Sequence, residues 1–230
     1  MSKADEQWHW VDEDPIDKLL RASHPSEQPE AVSPESPYDR AVRLEKEGQR
    51  ELAAVAFLEV LDADPEHAES MLRLGACLLS LGSTEEGLSW FERSLAGRGP
   101  WERALFGKAV ALQKMGRLDE ADTAYQALLR RNPASAEPLA NLIALSVARD
   151  DLARVTEYSR RLLDIDAESK PALQGLAMVA IRNGDQRAAV DYCTRLVQAD
   201  PDCFEGWFNL RFAEQKMRPP EAARSARSIA

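Results

Sequence analysis

The chain has 230 residues, is 44% hydrophobic and 30% charged, and carries a formal net charge of −10. That length allows a sizeable core or a stack of repeats. The negative balance argues against nucleic acid as a partner, and three cysteines are too few, and odd in number, for a disulfide framework. The absence of a basic-then-apolar leader and of a bilayer-length apolar run leads to the expectation of a cytoplasmic protein with no membrane insertion.

Residues 1–36 differ in composition from the rest of the chain. They hold four of the 13 prolines and nine acidic against three basic residues. Such a composition buries too little apolar surface to offset the entropy of ordering, so this segment is expected to be largely disordered. Within it, residues 7–20 read QWHWVDEDPIDKLL. Asp14 followed by Pro15 is a helix-start pair, and Ile16, Leu19 and Leu20 then share one face. Two readings stand. Either this is a solvated tail with incidental aromatics, or Trp8, Trp10, Ile16, Leu19 and Leu20 form a short docking motif. His9 has no second His or Cys at ligand spacing.

From residue 37 onward the chain repeats itself. Pro65, Gly99, Pro133, Ala167 and Pro201 are spaced 34 residues apart, and proline there ends one helix and opens the next. At the same period Gly48, Gly82, Gly116, Asp150, Gly184 and Arg218 mark a tight turn inside each unit, where glycine suits a left-handed cap and Asp tolerates it. Small residues recur where two helices must cross: Ala41, Gly75, Ala109 and Ala177 in the first helices, and Ala53, Gly87, Ala121, Ala189 and Ala223 in the second. Phe57, Phe91 and Tyr125, with Leu61, Leu95, Leu129, Leu163 and Val197, supply the larger apolar layer. Ser83 and Glu86 have the spacing of a capping box. The fourth unit departs most. Ile143 and Val155 replace small residues and Ser159 replaces the aromatic, so its helices are expected to be spaced or angled differently.

These columns resemble the tetratricopeptide repeat, a helix–turn–helix unit of 34 residues. The resemblance implies an all-α fold, a right-handed α–α superhelix of about five to six repeats. Its units fall at about 34–67, 68–101, 102–135, 136–169, 170–203 and 204–230. The family lines its concave side with the first helices and takes extended peptides or helices there. Carried over column by column, that groove includes Leu72, Leu79, Arg103, Phe106, Val110, Gln113, Val147, Gln174, Met178, Ile181, Arg182, Phe208 and Phe212. Most are apolar, which predicts an apolar strip with Arg103 and Arg182 at its rim. Some members grip a chaperone's terminal carboxylate with a basic clamp. The matching positions here are Tyr38, Val42, Arg73, Arg103 and Gly107, of which only Arg103 suits, so that activity is not expected. Type III secretion chaperones, which share the architecture, are a minor alternative.

Catalytic motifs are missing: no nucleophile elbow, phosphate-binding glycine loop or His–Glu metal pattern occurs. No enzyme activity, cofactor or metal is therefore expected. Glu85/Glu86 and Asp150/Asp151 lie at helix starts, where the helix dipole favours carboxylates. Cys193 occupies the aromatic column and reads as a small buried hydrophobe; Cys203, near a helix start, reads as inert, with a mildly activated thiol as the alternative. The leading expectation is an adaptor or co-chaperone-like scaffold that binds a protein or peptide partner through an apolar groove. The alternative is a self-assembling or self-inhibited scaffold whose own tryptophan-containing segment fills the groove, with a homo-oligomer as one form of it.

Overall fold

The computed structural model describes residues 35–97 and 101–217. Residues 1–34 of the N-terminal segment expected to be disordered, with its docking motif at residues 7–20, and Gly99, Arg218, Ala223 and the rest of the sixth unit after Met217 lie outside the described residues. Within them eleven helices follow one another without a strand: α1 (Pro37–Lys46), α2 (Arg50–Ala63), α3 (Ala68–Leu81), α4 (Thr84–Ala96), α5 (Trp101–Lys114), α6 (Leu118–Arg131), α7 (Ala136–Ala148), α8 (Leu152–Ile165), α9 (Lys170–Arg182), α10 (Gln186–Ala199) and α11 (Phe204–Met217). Each packs against the next, which makes an all-α solenoid of helical hairpins.

The turns explain the period. Gly48, Gly82, Gly116 and Gly184 have φ between 72° and 90°, and Asp150 joins them at 55°. In each case the following N–H reaches a carbonyl five residues back: Gln49 to Leu44, Ser83 to Leu78, Arg117 to Leu112, Asp151 to Ser146, and Asp185 to Ala180. This Schellman-type closure needs a left-handed residue, and Asp is among the few side chains that adopt it cheaply. Between units a second punctuation mark recurs. The side-chain oxygens of Asp64, Asn132 and Asp166 accept from the N–H two residues on. These Asx turns redirect the chain into the next hairpin, including at Ala167, where the proline is missing.

Small residues set the crossing within each hairpin. Ala41, Ala53, Ala109, Ala121, Ala177 and Ala189 are buried. In the second unit Gly75 and Gly87 face each other so closely that a Cβ on either would lie 3.0–3.1 Å from the other's carbonyl oxygen. The fourth unit puts Ile143 and Val155 at these places, both buried. Their bulk is absorbed one unit later: a Cβ on Gly175 would meet Ser159 Oγ at 2.6 Å and both Ile143 and Val155 at 3.2 Å. Ser159 Oγ is buried and has no hydrogen-bond partner.

Some sequence expectations need refinement. Ser83 is the N-cap of α4, but its side chain makes no cap hydrogen bond, so the capping box does not form. Side-chain caps do form at His67, Asp151 and Asp185, which accept from the N–H three residues on. Cys193 and Cys77 are buried, and burial pushes both thiols up to about 11. Cys203 caps α11 with its sulfur, which accepts from the Gly206 N–H at 3.3 Å.

Gly107→Ala should lower the unfolding free energy by about 1 kcal/mol in urea titration, because its Cβ would fall 2.4 Å from the fully buried Phe91 ring and overpacking outweighs the gain in helix propensity. Ser159→Ala should raise it by about 1 kcal/mol, since a buried hydroxyl without a partner is lost. A thiol reagent at about pH 8 should label Cys203 in the folded chain and reach Cys77 and Cys193 only on unfolding. With both buried thiols raised, their contribution to stability is complete below the ordinary thiol pKa of 9.0 and is lost as pH rises through about 11.

Candidate functional site

The column of residue 107 differs from unit to unit. It holds Arg73, Gly107, Asn141, Gly175 and Asn209 in successive units. Glycine lets α5 press onto the Phe91 ring, and lets α9 press onto Ser159. Accordingly α3 packs on α5 and α7 on α9, while α5 and α7 make little contact. The unit after Gly107 has Asn141 in this column.

A cleft of about 580 Å³ fills this concavity. Its apolar surface comes from Leu72, Ala76 and Leu79 of α3, Phe91 of α4, Phe106 and Val110 of α5, Leu128 of α6 and Pro138 of α7. Polar groups enter from Glu45, Arg73, Ser80, Glu102, Arg103, Asn132, Ser135 and Glu137. Phe106 is half-buried, and its ring meets Tyr125 edge-on at 5.9 Å. Tyr125 is fully buried, and its hydroxyl donates to Gln113 Oε1 at 3.0 Å. Burial pushes that phenol well above its ordinary range.

The rim is cross-linked by charge. Arg73 donates to Glu45 at 2.5 Å and to Glu69 at 2.8 Å, and Arg103 donates to both Glu69 oxygens at 2.9 and 3.1 Å. One ionic chain thus runs from α1 through α3 to α5. Burial alone would lower the Arg73 pKa, but the hydrogen bond and charge of Glu45 outweigh it, so the guanidinium stays protonated above its usual range.

Of the groove residues expected from sequence, Leu72, Leu79, Arg103, Phe106 and Val110 line this cleft. Leu72 is only 4% exposed and forms part of its floor. Gln113 is engaged by Tyr125. Val147, Gln174, Met178, Ile181, Arg182, Phe208 and Phe212 lie on the later first helices, outside the lining. Met178 and Ile181 are half-buried, while Val147, Phe208 and Phe212 are exposed. Arg182 donates to Asp150 at 2.8 Å. Sequence columns missed Phe91, Leu128, Asn132, Ser135 and Pro138 as cleft residues. The Asn–Pro–x–Ser run at 132–135 was the available signal for a loop that reaches the concave side. Among the described residues no group of three or more His, Cys, Asp or Glu is placed to hold a metal, and no helix is long and apolar enough to cross a membrane.

Arg73→Met should destabilise the fold by roughly 1–2 kcal/mol at low salt, between the exposed and buried limits for an ion pair, because Glu45 and Glu69 lose a shared partner. Urea titration at low and high salt checks this, with the smaller loss at high salt.

Models of the tetratricopeptide repeat match residues 38–100, 103–135 and 171–203. Superkiller complex protein 3 of Homo sapiens is 37% identical over 67 residues, and that of Mus musculus 31% over 67; each match covers 29% of this chain and only 4% of the relative. Among solved structures, MamA from Desulfovibrio magneticus RS-1 superposes with a TM-score of 0.65 at 20% identity, covering 73% of this chain and 95% of that one. A tetratricopeptide repeat protein from Parabacteroides merdae gives 0.67 at 17%, covering 84% and 75%. YrrB, a TPR protein with an unusual peptide-binding site, gives 0.62 at 13%, covering 85% and 97%. With the turns at a 34-residue period, the small-residue crossings and three family matches that together span more than half of its length, the chain belongs to the tetratricopeptide repeat family.

Proposed function

We propose that this protein–protein interaction scaffold takes apolar side chains of a partner peptide or helix into the cleft between α3, α5 and α7. The observation that carries the reading is the cleft itself: about 580 Å³, apolar at its floor, with an ion-paired rim. That volume lies within the range of specific binding pockets and accommodates a few large side chains. Because Arg73 and Arg103 are already engaged by Glu45 and Glu69, the rim positions a ligand more than it attracts one by charge. The helix-in-groove mode, with anchors at i, i+3/i+4 and i+7, fits this chemistry. The peptide-binding site named for YrrB supports the same reading. An adaptor or co-chaperone-like role belongs to this proposal, as does a non-enzymatic one.

Selection of short peptides from a random library against the full chain should enrich sequences with aromatic or aliphatic anchors at helical spacing. Phe106→Glu should weaken the selected peptide at least about tenfold while leaving the helical circular dichroism unchanged. Equal binding to wild type and Phe106→Glu would remove the cleft from consideration.

A further inference from the structure

A second surface stands out when each repeat is compared with its neighbours. On the outer face of α2, Leu52, Val55 and Leu58 are 56%, 54% and 41% exposed. The same three columns hold Glu86, Ser89 and Glu92 in the second unit and Glu120, Thr123 and Gln126 in the third. The fourth and fifth units keep them polar or small as well, with Arg154, Glu157 and Arg160, then Ala188, Asp191 and Thr194. The repeat therefore does not need apolar residues there, since four copies fold without them. Three together in one copy form a stripe with i, i+3 spacing on one helix face.

The surroundings define what could cover it. Along that face Glu51 precedes the stripe, with Glu59 and Asp62 beyond it, all exposed. Arg40 reaches Glu59 at 3.4 Å in a pair more than half exposed on both sides, which is a weak neutralisation. Arg50 falls on a different side of α2 by helical spacing, about 160° from Leu52. The patch is apolar in the middle and acidic at both ends. The three residues lie within about 9 Å of helix, an extent that suits one docked helix rather than a stable dimer interface of roughly 800 Å² per partner. The chain's own residues 1–36 are acidic, nine carboxylates against three bases, and so is the chain as a whole. Charge therefore disfavours the N-terminal segment and anionic lipid as occupants.

We propose that the α2 stripe docks a basic amphipathic helix of a protein partner, its apolar anchors on Leu52, Val55 and Leu58 and its Lys or Arg residues against Glu51, Glu59 and Asp62. This surface is separate from the concave cleft and stands independently of it.

The test uses the full chain and a fluorescein-labelled peptide of about 18 residues, with leucines at i, i+3, i+4 and i+7 and lysines flanking them. Fluorescence anisotropy should show saturable binding that weakens at least about tenfold in Val55→Glu. Binding should be retained in Phe106→Glu, weaken at about 0.3 M salt, and vanish when the lysines are replaced by glutamates. Val55→Ser serves as a second variant, with a smaller loss, and circular dichroism verifies that both fold. Undiminished binding to Val55→Glu, or equal binding of the glutamate-flanked peptide, overturns the proposal. So does a dimer in sedimentation velocity that Val55→Glu abolishes, which would assign the stripe to a second copy. In a chain with Trp90, Trp101 and Trp207 replaced by phenylalanine, a red shift of tryptophan emission on Val55→Glu would assign the stripe to the chain's own Trp8 and Trp10 and overturn the proposal equally.

Discussion

The structure depends on how closely successive helices can approach. Where Gly75 meets Gly87, and where alanines meet in the first, third and fifth hairpins, backbones come near enough for the surrounding aromatic and aliphatic side chains to interlock. Interiors packed at crystal-like density transmit such spacing to their neighbours. The Ile143–Val155 pair shows the constraint from the other side. Extra volume in one hairpin is offset by small residues beside it, Ser159 in the same hairpin and Gly175 in the next. Ser159 carries a cost of its own as a buried hydroxyl without a partner.

Charge supplies a second layer of registration. Arg103–Glu69, Arg149–Asp119, Arg154–Asp122, Arg182–Asp150 and Lys170–Asp200 each join residues roughly one repeat apart. The exposed pairs contribute little to stability individually. Arg154–Asp122 is the best shielded of them, and Tyr158 also accepts from the same guanidinium. Their shared effect is to tie successive units together, and Arg103–Glu69 does so at the edge of the cleft. The concave cleft therefore presents apolar surface bordered by engaged ion pairs.

Two faces with different chemistry arise from one repeated hairpin. The concave cleft is built by several units together, with lining residues from α1 to α7. The α2 stripe belongs to one unit and owes nothing to the superhelix; it is three apolar residues in columns that folding leaves unconstrained. In a repeat protein each unit touches only its neighbours, so surface columns change without disturbing the core. Departures from the repeat on an exposed face therefore carry more information about binding than departures within the core, which Gly175 and Ser159 show to be compensations of packing.

The amino-acid sequence alone determined the hairpin, its period and its turns. Left-handed caps admit few residue types, and helix crossings admit only small ones, so Gly48, Gly82, Gly116, Asp150 and Gly184 and the alanine columns were legible as local constraints. The Asx turns at Asp64, Asn132 and Asp166 were legible in principle for the same reason. The tertiary structure decided where the concave surface becomes a cleft. Among the first helices α3 packs on α5 and α7 on α9, while α5 and α7 make little contact, and Phe91 packs under Gly107 while also lining the cleft. It also decided that Arg103 and Arg182 spend their charge on Glu69 and Asp150. Spacing along a chain fixes which face a side chain occupies; contacts between units a repeat apart fix whether that face is open, filled or paired.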